Sequence, residues 1–162
     1  MRIRGETCND IAAIRQVIEA AFGQPAEADL VDALRQSGDA VISLVAEAGG
    51  QIVGQVLYSK LLAPDHCIAL APVSVLPDRQ NQGIGSALIL QGLTRARTDG
   101  WQAVFLLGDP QYYERFGFSA AKADKFETPY PKPYVQALEL TPGALQCRSG
   151  SLTYAPAFLA LS

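Results

Sequence analysis

The sequence predicts a mixed α/β (α+β) fold, and two observations carry that reading. Stretches with apolar residues at helical spacing alternate with β-type runs. Two of those runs are joined by Gly49-Gly50, a strong hairpin signal. At 162 residues the chain fits one domain spanning 1–162, long enough to bury roughly 70% of its unfolded surface.

The elements follow in order. Arg2 to Arg4 reads as a short opening strand. Asn9 or Asp10 can cap a helix in which Ile11, Ile14, Val17, Ile18 and Phe22 recur on one face, and Gly23 and Pro25 end it. A second amphipathic segment spans Ala28 to Arg35. The hairpin AVISLVAEAGGQIVGQVLYSKLL comes next, followed by the apolar run HCIALAPVSVLP, stopped by Pro77. Pro72 lies inside that run and would remove a ladder donor, so a bulge or a splayed edge is expected there.

Ile84 to Thr98 is helical, with Leu88, Ile89, Leu93 and Ala96 on a broad face and Arg95 and Arg97 in the last turn. QAVFLLG is a buried strand. Asp109-Pro110 then starts a short helix that Gly117 closes. Pro129, Pro131 and Pro133 stiffen the stretch PYPKPY, which suits a rigid surface connector or an aromatic wall for a second substrate. VQALEL and LTYAPAFLAL read as late strands.

Composition narrows the function. A net charge of −3 supplies no basic field, which argues against a nucleic-acid partner. Cys8, Cys67 and Cys147 are odd in number and far apart, and His66 is the lone histidine. No metal set and no disulfide framework is therefore expected. No apolar run approaches membrane-spanning length and the N-terminus lacks a signal-peptide core, so a cytoplasmic protein without a membrane partner is expected.

The stretch PDRQNQGIGSALIL carries the chemistry. It lies between a strand and a helix, where unpaired N–H groups and the macrodipole favour an anion. Absent side chains at Gly83 and Gly85 would let a bulky anion reach the backbone, and Arg79 stands just upstream. A P-loop needs Lys-Ser or Lys-Thr after the second glycine, where this chain has Ser86-Ala87. A dinucleotide fingerprint needs a small third residue where it has Leu88. The residues by themselves leave an anion cradle and a plain glycine-rich helix start both open.

The wider stretch VSVLPDRQNQGIGSALI resembles the acyl-CoA signature of the GNAT superfamily of N-acetyltransferases, whose loop is written Q/R-x-x-G-x-G/A. Here it reads Gln80-Asn81-Gln82-Gly83-Ile84-Gly85. LGDPQYYERFGF resembles the same superfamily's later strand–helix unit, with Tyr113-Glu114-Arg115-Phe116-Gly117-Phe118 in the Y-x-x-x-G-F positions. Asn81 departs from the glycine common among relatives, and asparagine tolerates a left-handed backbone.

The resemblance implies a mostly antiparallel central sheet, splayed at the acyl-CoA site and flanked by helices. It implies acetyl-CoA as co-substrate, without a metal, and a small-molecule or peptide amine as acceptor. Backbone amides of Gln82, Gly83, Ile84, Gly85 and Ser86 would hold the pyrophosphate. Pantetheine would run along the strand carrying Val73 and Val75, with the Val75 amide near the thioester carbonyl. Gln80 and Tyr113 belong to the same cofactor-binding set, and Tyr113 matches the position of the catalytic acid. A non-catalytic acyl-CoA-binding regulatory module is the alternative. A homodimer through the C-terminal strands stays open.

Amide formation from a thioester needs a neutral amine and a proton for the leaving thiolate. A phenol, pKa ~10, is still protonated at neutral pH and qualifies as donor. Tyr112 suits the core face, whereas Tyr113 is rotated towards the sheet's split. No base is assigned: His66 stands at the outer start of its strand, Ser74 is a poor base unaided, and Glu47, Glu114, Asp124 and Glu127 are not ranked by spacing. Cys67 and Cys147 read as buried small apolar residues, which favours direct transfer over a ping-pong scheme.

Overall fold

The structure, a computed structural model, describes residues 1–161. Strand β1 (Arg2–Gly5) precedes helices α1 (Ile11–Phe22) and α2 (Ala26–Ser37). The hairpin β2 (Ala40–Ala48) and β3 (Gln51–Lys60) follows, then β4 (Cys67–Val75), α3 (Ile84–Thr98) and β5 (Ala103–Leu107). Beyond these come two short helices, α4 (Pro110–Tyr113) and α5 (Ala120–Ala123), and strands β6 (Phe126–Glu127), β7 (Val135–Glu139) and β8 (Gly150–Ser151). The main sheet runs β1-β2-β3-β4-β5-β7, and within it only β4 and β5 are parallel. The mostly antiparallel sheet flanked by helices is therefore present.

Alternation along β2 and β3 builds a core on each face of the sheet. Leu44, Val56 and Tyr58 meet Ile84, Leu88, Ile89 and Leu93 of α3. Val45 and Leu57 meet Ile14, Val17 and Ile18 of α1 and Leu30, Val31 and Leu34 of α2.

The expected disturbance at Pro72 is a bulge. Pairing passes from Tyr58↔Leu70 to Val56↔Val73, so Ala71 and Pro72 together oppose Leu57. The extra residue shifts the side-chain alternation by one. Leu70, Val73 and Val75 consequently all face α3, whereas Ala71 faces the α1–α2 side.

The sheet also splits. Strands β4 and β5 pair only where Cys67–Ala69 meets Ala103–Phe105. Past that point β4 stays with β3 as far as Val75↔Gly54, while β5 stays with β7 as far as Leu107↔Val135. The inner edge of β4 from Leu70 onward thus has no strand partner.

Two local expectations need correction. LTYAPAFLAL is not a strand: Thr153 makes one isolated bridge to Ala63, and Pro156–Leu161 forms a 3-10 helix that packs Phe158 against Tyr154. Pro156 has no N–H for a ladder yet suits the first position of a helical turn, and an apolar run by itself does not separate the two. Asp10 does flank α1, but its side chain does not cap it. The carboxylate turns back to accept from the Thr7 N–H at 2.7 Å and from Arg4 at 2.7 and 3.0 Å. This fork holds the Asp10 carboxyl well below the usual carboxylate range, with the Arg4 hydrogen bonds the largest cause.

Candidate active site

The Gly-rich stretch leaves β4 through a 3-10 turn at Pro77–Arg79 and enters α3 with Asn81 at φ 63° and Gly83 at φ 83°. Both are left-handed, which glycine adopts freely and asparagine tolerates. The first helical bond runs from the Ala87 N–H to the Gly83 carbonyl, so the N–H groups of Ile84, Gly85 and Ser86 have no partner within the helix.

Beside this helix start lies a cavity of about 500 Å³. Of the residues named from sequence, Val73, Val75, Gln80, Gly83, Ile84, Gly85, Ser86 and Tyr113 all line it. Gln82 is exposed and is not among the lining residues; only its backbone amide was invoked. Arg79 and Asn81 line it too.

Main-chain direction follows from one hydrogen bond. The Leu76 N–H donates to the Val53 carbonyl at 2.9 Å, so in an alternating antiparallel ladder Ser74 and Leu76 turn their main-chain groups towards β3. Val73 and Val75 therefore turn theirs towards the split. The Val75 carbonyl accepts from Gln80 Nε2 at 3.2 Å, which leaves the Val75 N–H and both main-chain groups of Val73 open.

Gly85 forms part of the floor. A Cβ built there would stand 3.8 to 3.9 Å from Val75, Val73 and the Tyr112 hydroxyl, inside the cavity and clear of any clash. At Gly83, by contrast, nothing lies within 4 Å, and the backbone conformation alone calls for glycine.

Strand β5 ends at Leu107, and α4 folds back over the start of α3 with Asp109 capping it through the Gln111 N–H at 2.9 Å. Both Tyr112 and Tyr113 are half-buried and line the cavity, so Tyr112 is not confined to the core. The Tyr112 hydroxyl lies 3.3 Å from Ser86 Oγ, while the Tyr113 hydroxyl makes no hydrogen bond within the described residues. The Tyr113 ring lies so close over Gly108 that a Cβ there would come within 2.6 Å of it, and Phe118 meets its side edge-on. Burial, with a smaller effect of Tyr112, pushes the Tyr113 phenol above its ordinary value, so it stays protonated at neutral pH.

Arg115 also lines the cavity. Its guanidinium stands 4.3 Å over the Tyr112 ring, and its Nε donates to the Tyr112 carbonyl at 2.8 Å. With Arg79 it puts two cations beside the free amides. Sequence reading missed Tyr112, Arg115 and Ile89 as lining residues. Arg115 lay within the recognised motif, but only the fold-back of α4 brings it there.

The remaining candidates lie elsewhere. His66 and Glu114 are exposed outside the cavity, as are Asp124 and Glu127. Glu47 pairs with Arg4 at 3.5 Å. Ser74 is buried on the opposite face from Val73 and Val75, and its hydroxyl has no partner among the described residues. Cys67 is buried, and burial pushes its thiol up despite the nearby Arg148. Cys147 is exposed, contrary to expectation: Leu145 takes the core position in that turn and Cys147 points outward. Among the described residues no group of three or more His, Cys, Asp or Glu could hold a metal, and no helix is long and apolar enough to cross a membrane.

Comparison with known proteins bears on the family and the fold. The sequence model of the Acetyltransferase (GNAT) family matches residues 11–118. The uncharacterised N-acetyltransferase YjhQ of Escherichia coli is 38% identical over 133 residues, covering 77% of this chain and 74% of its own. A crystal structure of the N-acetyltransferase YhbS from Escherichia coli, in complex with CoA, superposes with a TM-score of 0.91 at 32% identity, over 98% of this chain and 91% of that one. A GNAT family acetyltransferase from Brucella melitensis in complex with acetyl-CoA gives a TM-score of 0.83 at 41% identity, over 97% of both chains.

Proposed function

The chain belongs to the GNAT family of acetyltransferases, and on that premise we propose that it transfers an acetyl group from acetyl-CoA to a primary amine, by direct attack within a ternary complex. One observation carries the reading. A single cavity unites an unpaired strand edge, the free amides of a helix start and a protonated, half-buried phenol.

The residues fit the co-substrate, whose thioester would supply the activated acyl group. The amides of Ile84, Gly85 and Ser86, with those of Gln82 and Gly83, would receive the pyrophosphate, and the floor stays open because Gly85 has no Cβ. Arg79 and Arg115 would add charge-assisted contacts. Val73 and Val75 would offer their outward main-chain groups to the pantetheine arm, as an added strand does. YhbS and the Brucella melitensis protein hold CoA and acetyl-CoA respectively, which supports the same ligand here.

In the net reaction the amide C–N bond forms, the C–S bond breaks and one proton passes from nitrogen to sulfur. Tyr113 would give its phenolic proton to the departing sulfur and recover one from solvent. Among the described residues no carboxylate and no histidine lines the cavity, so the amine's proton would leave through water. Catalysis then rests chiefly on positioning.

Calorimetric titration with acetyl-CoA, dephospho-CoA and ATP tests the reading. Tight acetyl-CoA binding without ATP binding is expected, followed by amine-dependent release of CoA thiol. No binding of acetyl-CoA would overturn it. Binding without turnover on any amine would instead favour an acyl-CoA-binding regulatory module.

A further inference from the structure

A second cavity opens on the opposite face of the sheet from the first. It measures about 280 Å³ and is lined by Ala71, Leu107, Tyr130, Tyr154, Phe158 and Leu161. Its position follows from the split. Ala71 is the bulge residue of β4, and Leu107 ends β5, so the two strands that part at Ala69 and Phe105 each supply a wall. Two residues farther along β4, Val73 lines the first cavity from the other face. The gap between the strands separates the two chambers.

The lining has one chemical character. Tyr130, Tyr154 and Phe158 stand edge-to-face in series, with centroids 5.5 and 4.8 Å apart. Leu107 and Leu161 keep 45% and 40% of their surface exposed. Among the described residues no carboxylate and no histidine lines the chamber.

We propose that this chamber is the acceptor site, and that the acceptor is a small primary amine carried on an aromatic body, of the arylalkylamine class. The inference rests on the acetyl-transfer reading above and narrows its acceptor. A polyamine or an aminoglycoside carries several cations, and the described wall offers no carboxylate to pair them. A one-ring amine matches the rings, and the cavity, at about 280 Å³, falls just below the usual span of ligand sites, about 300–1,000 Å³, which suits a small acceptor. Partial desolvation against the aromatic and leucine side chains lowers the pKa of an entering ammonium, which raises its neutral fraction.

The test uses the full chain. Acetyl-CoA affinity is first measured by calorimetry; then thiol release is followed with 2-phenylethylamine, spermidine, kanamycin and a lysine-bearing peptide. kcat/KM for 2-phenylethylamine should exceed that for spermidine by about 100-fold or more. Leu161→Glu, at an exposed position of the terminal 3-10 helix, should raise KM for 2-phenylethylamine about tenfold and leave the acetyl-CoA Kd unchanged. If acetyl-CoA does not bind, the acetyl-transfer reading fails and this proposal with it. Acetyl-CoA binding with spermidine, kanamycin or the peptide preferred, or with an unmoved KM in the variant, overturns the acceptor assignment alone; acetyl-CoA binding with no amine acetylated overturns both.

Discussion

Gly85 sets stability against binding at one position. It is in the first turn of α3, and the Cβ of Gly85→Ala would rest at 3.8 to 3.9 Å from its neighbours, ordinary contact distances. The fold therefore gains the helix preference of alanine, about 0.5–1 kcal/mol. For a chain of this length that is a rise of about 1–4 °C in Tm. The loop signature Q/R-x-x-G-x-G/A admits alanine here, so Gly85→Ala should keep most of its CoA affinity. Gly85→Val puts two further methyls into the cavity, where the pyrophosphate must approach the amides. Losing one charge-assisted hydrogen bond there costs about 1.5–3 kcal/mol, or about 10- to 150-fold in Kd. Thermal melts and calorimetric titration with CoA read the two effects separately. A Gly85→Val variant that binds CoA like the parent would refute the cradle, and a Gly85→Ala variant that melts well below the parent would show that the Cβ does not fit as described.

Further outcomes follow at three named sites. Tyr113→Phe should lower kcat by roughly 10²–10³ with little change in acetyl-CoA affinity; an unchanged kcat removes Tyr113 from the mechanism. Its raised pKa also has a definite sign for stability. The contribution is complete below pH ~10 and is lost as pH rises through the folded value, so alkaline melts of Tyr113→Phe should fall off less steeply than those of the parent. Gly92→Ala would bring a Cβ within 2.2 Å of the buried Tyr58 ring, whose hydroxyl donates to the Ile89 carbonyl at 2.8 Å. A loss of about 2–3 kcal/mol and a Tm lower by roughly 4–12 °C are expected, partly restored by adding Tyr58→Leu. For Asp10, whose folded pKa is depressed, stability is present above pH ~4 and lost as pH falls through the folded value. Asp10→Asn should flatten that acid limb; an unaltered acid melt would contradict the Arg4 fork.

Local chemistry made most of the fold legible. Gly49-Gly50, the capped run Ile84 to Thr98 and the Asp109-Pro110 start each act within a few residues, and each stands where the spacing put it. The glycine loop was legible for the same reason, since left-handed backbone at Asn81 and Gly83 is a local requirement. The C-terminal segment was not, because LTYAPAFLAL carries no period and its docking of Phe158 against Tyr154 depends on distant partners. Tyr112 and Arg115 were missed as lining residues on similar grounds: only the turn after Gly108 brings them over α3.

Pro72 shows where sequence reasoning stops short of function. A missing donor predicts a bulge, and the bulge is there. Its consequence lies in the side-chain alternation, which depends on which neighbour absorbs the extra residue. Because Ala71 and Pro72 together oppose Leu57, Leu70 and Val73 share one face and Ala71 is returned to the other. In a regular strand Ala71, Val73 and Val75 would all point towards α3. With the bulge, one strand lines the anion cavity with two valines and the aromatic chamber with an alanine. The same proline that weakens the ladder thereby gives β4 a wall in each chamber, on either side of the split where acyl transfer is proposed to occur.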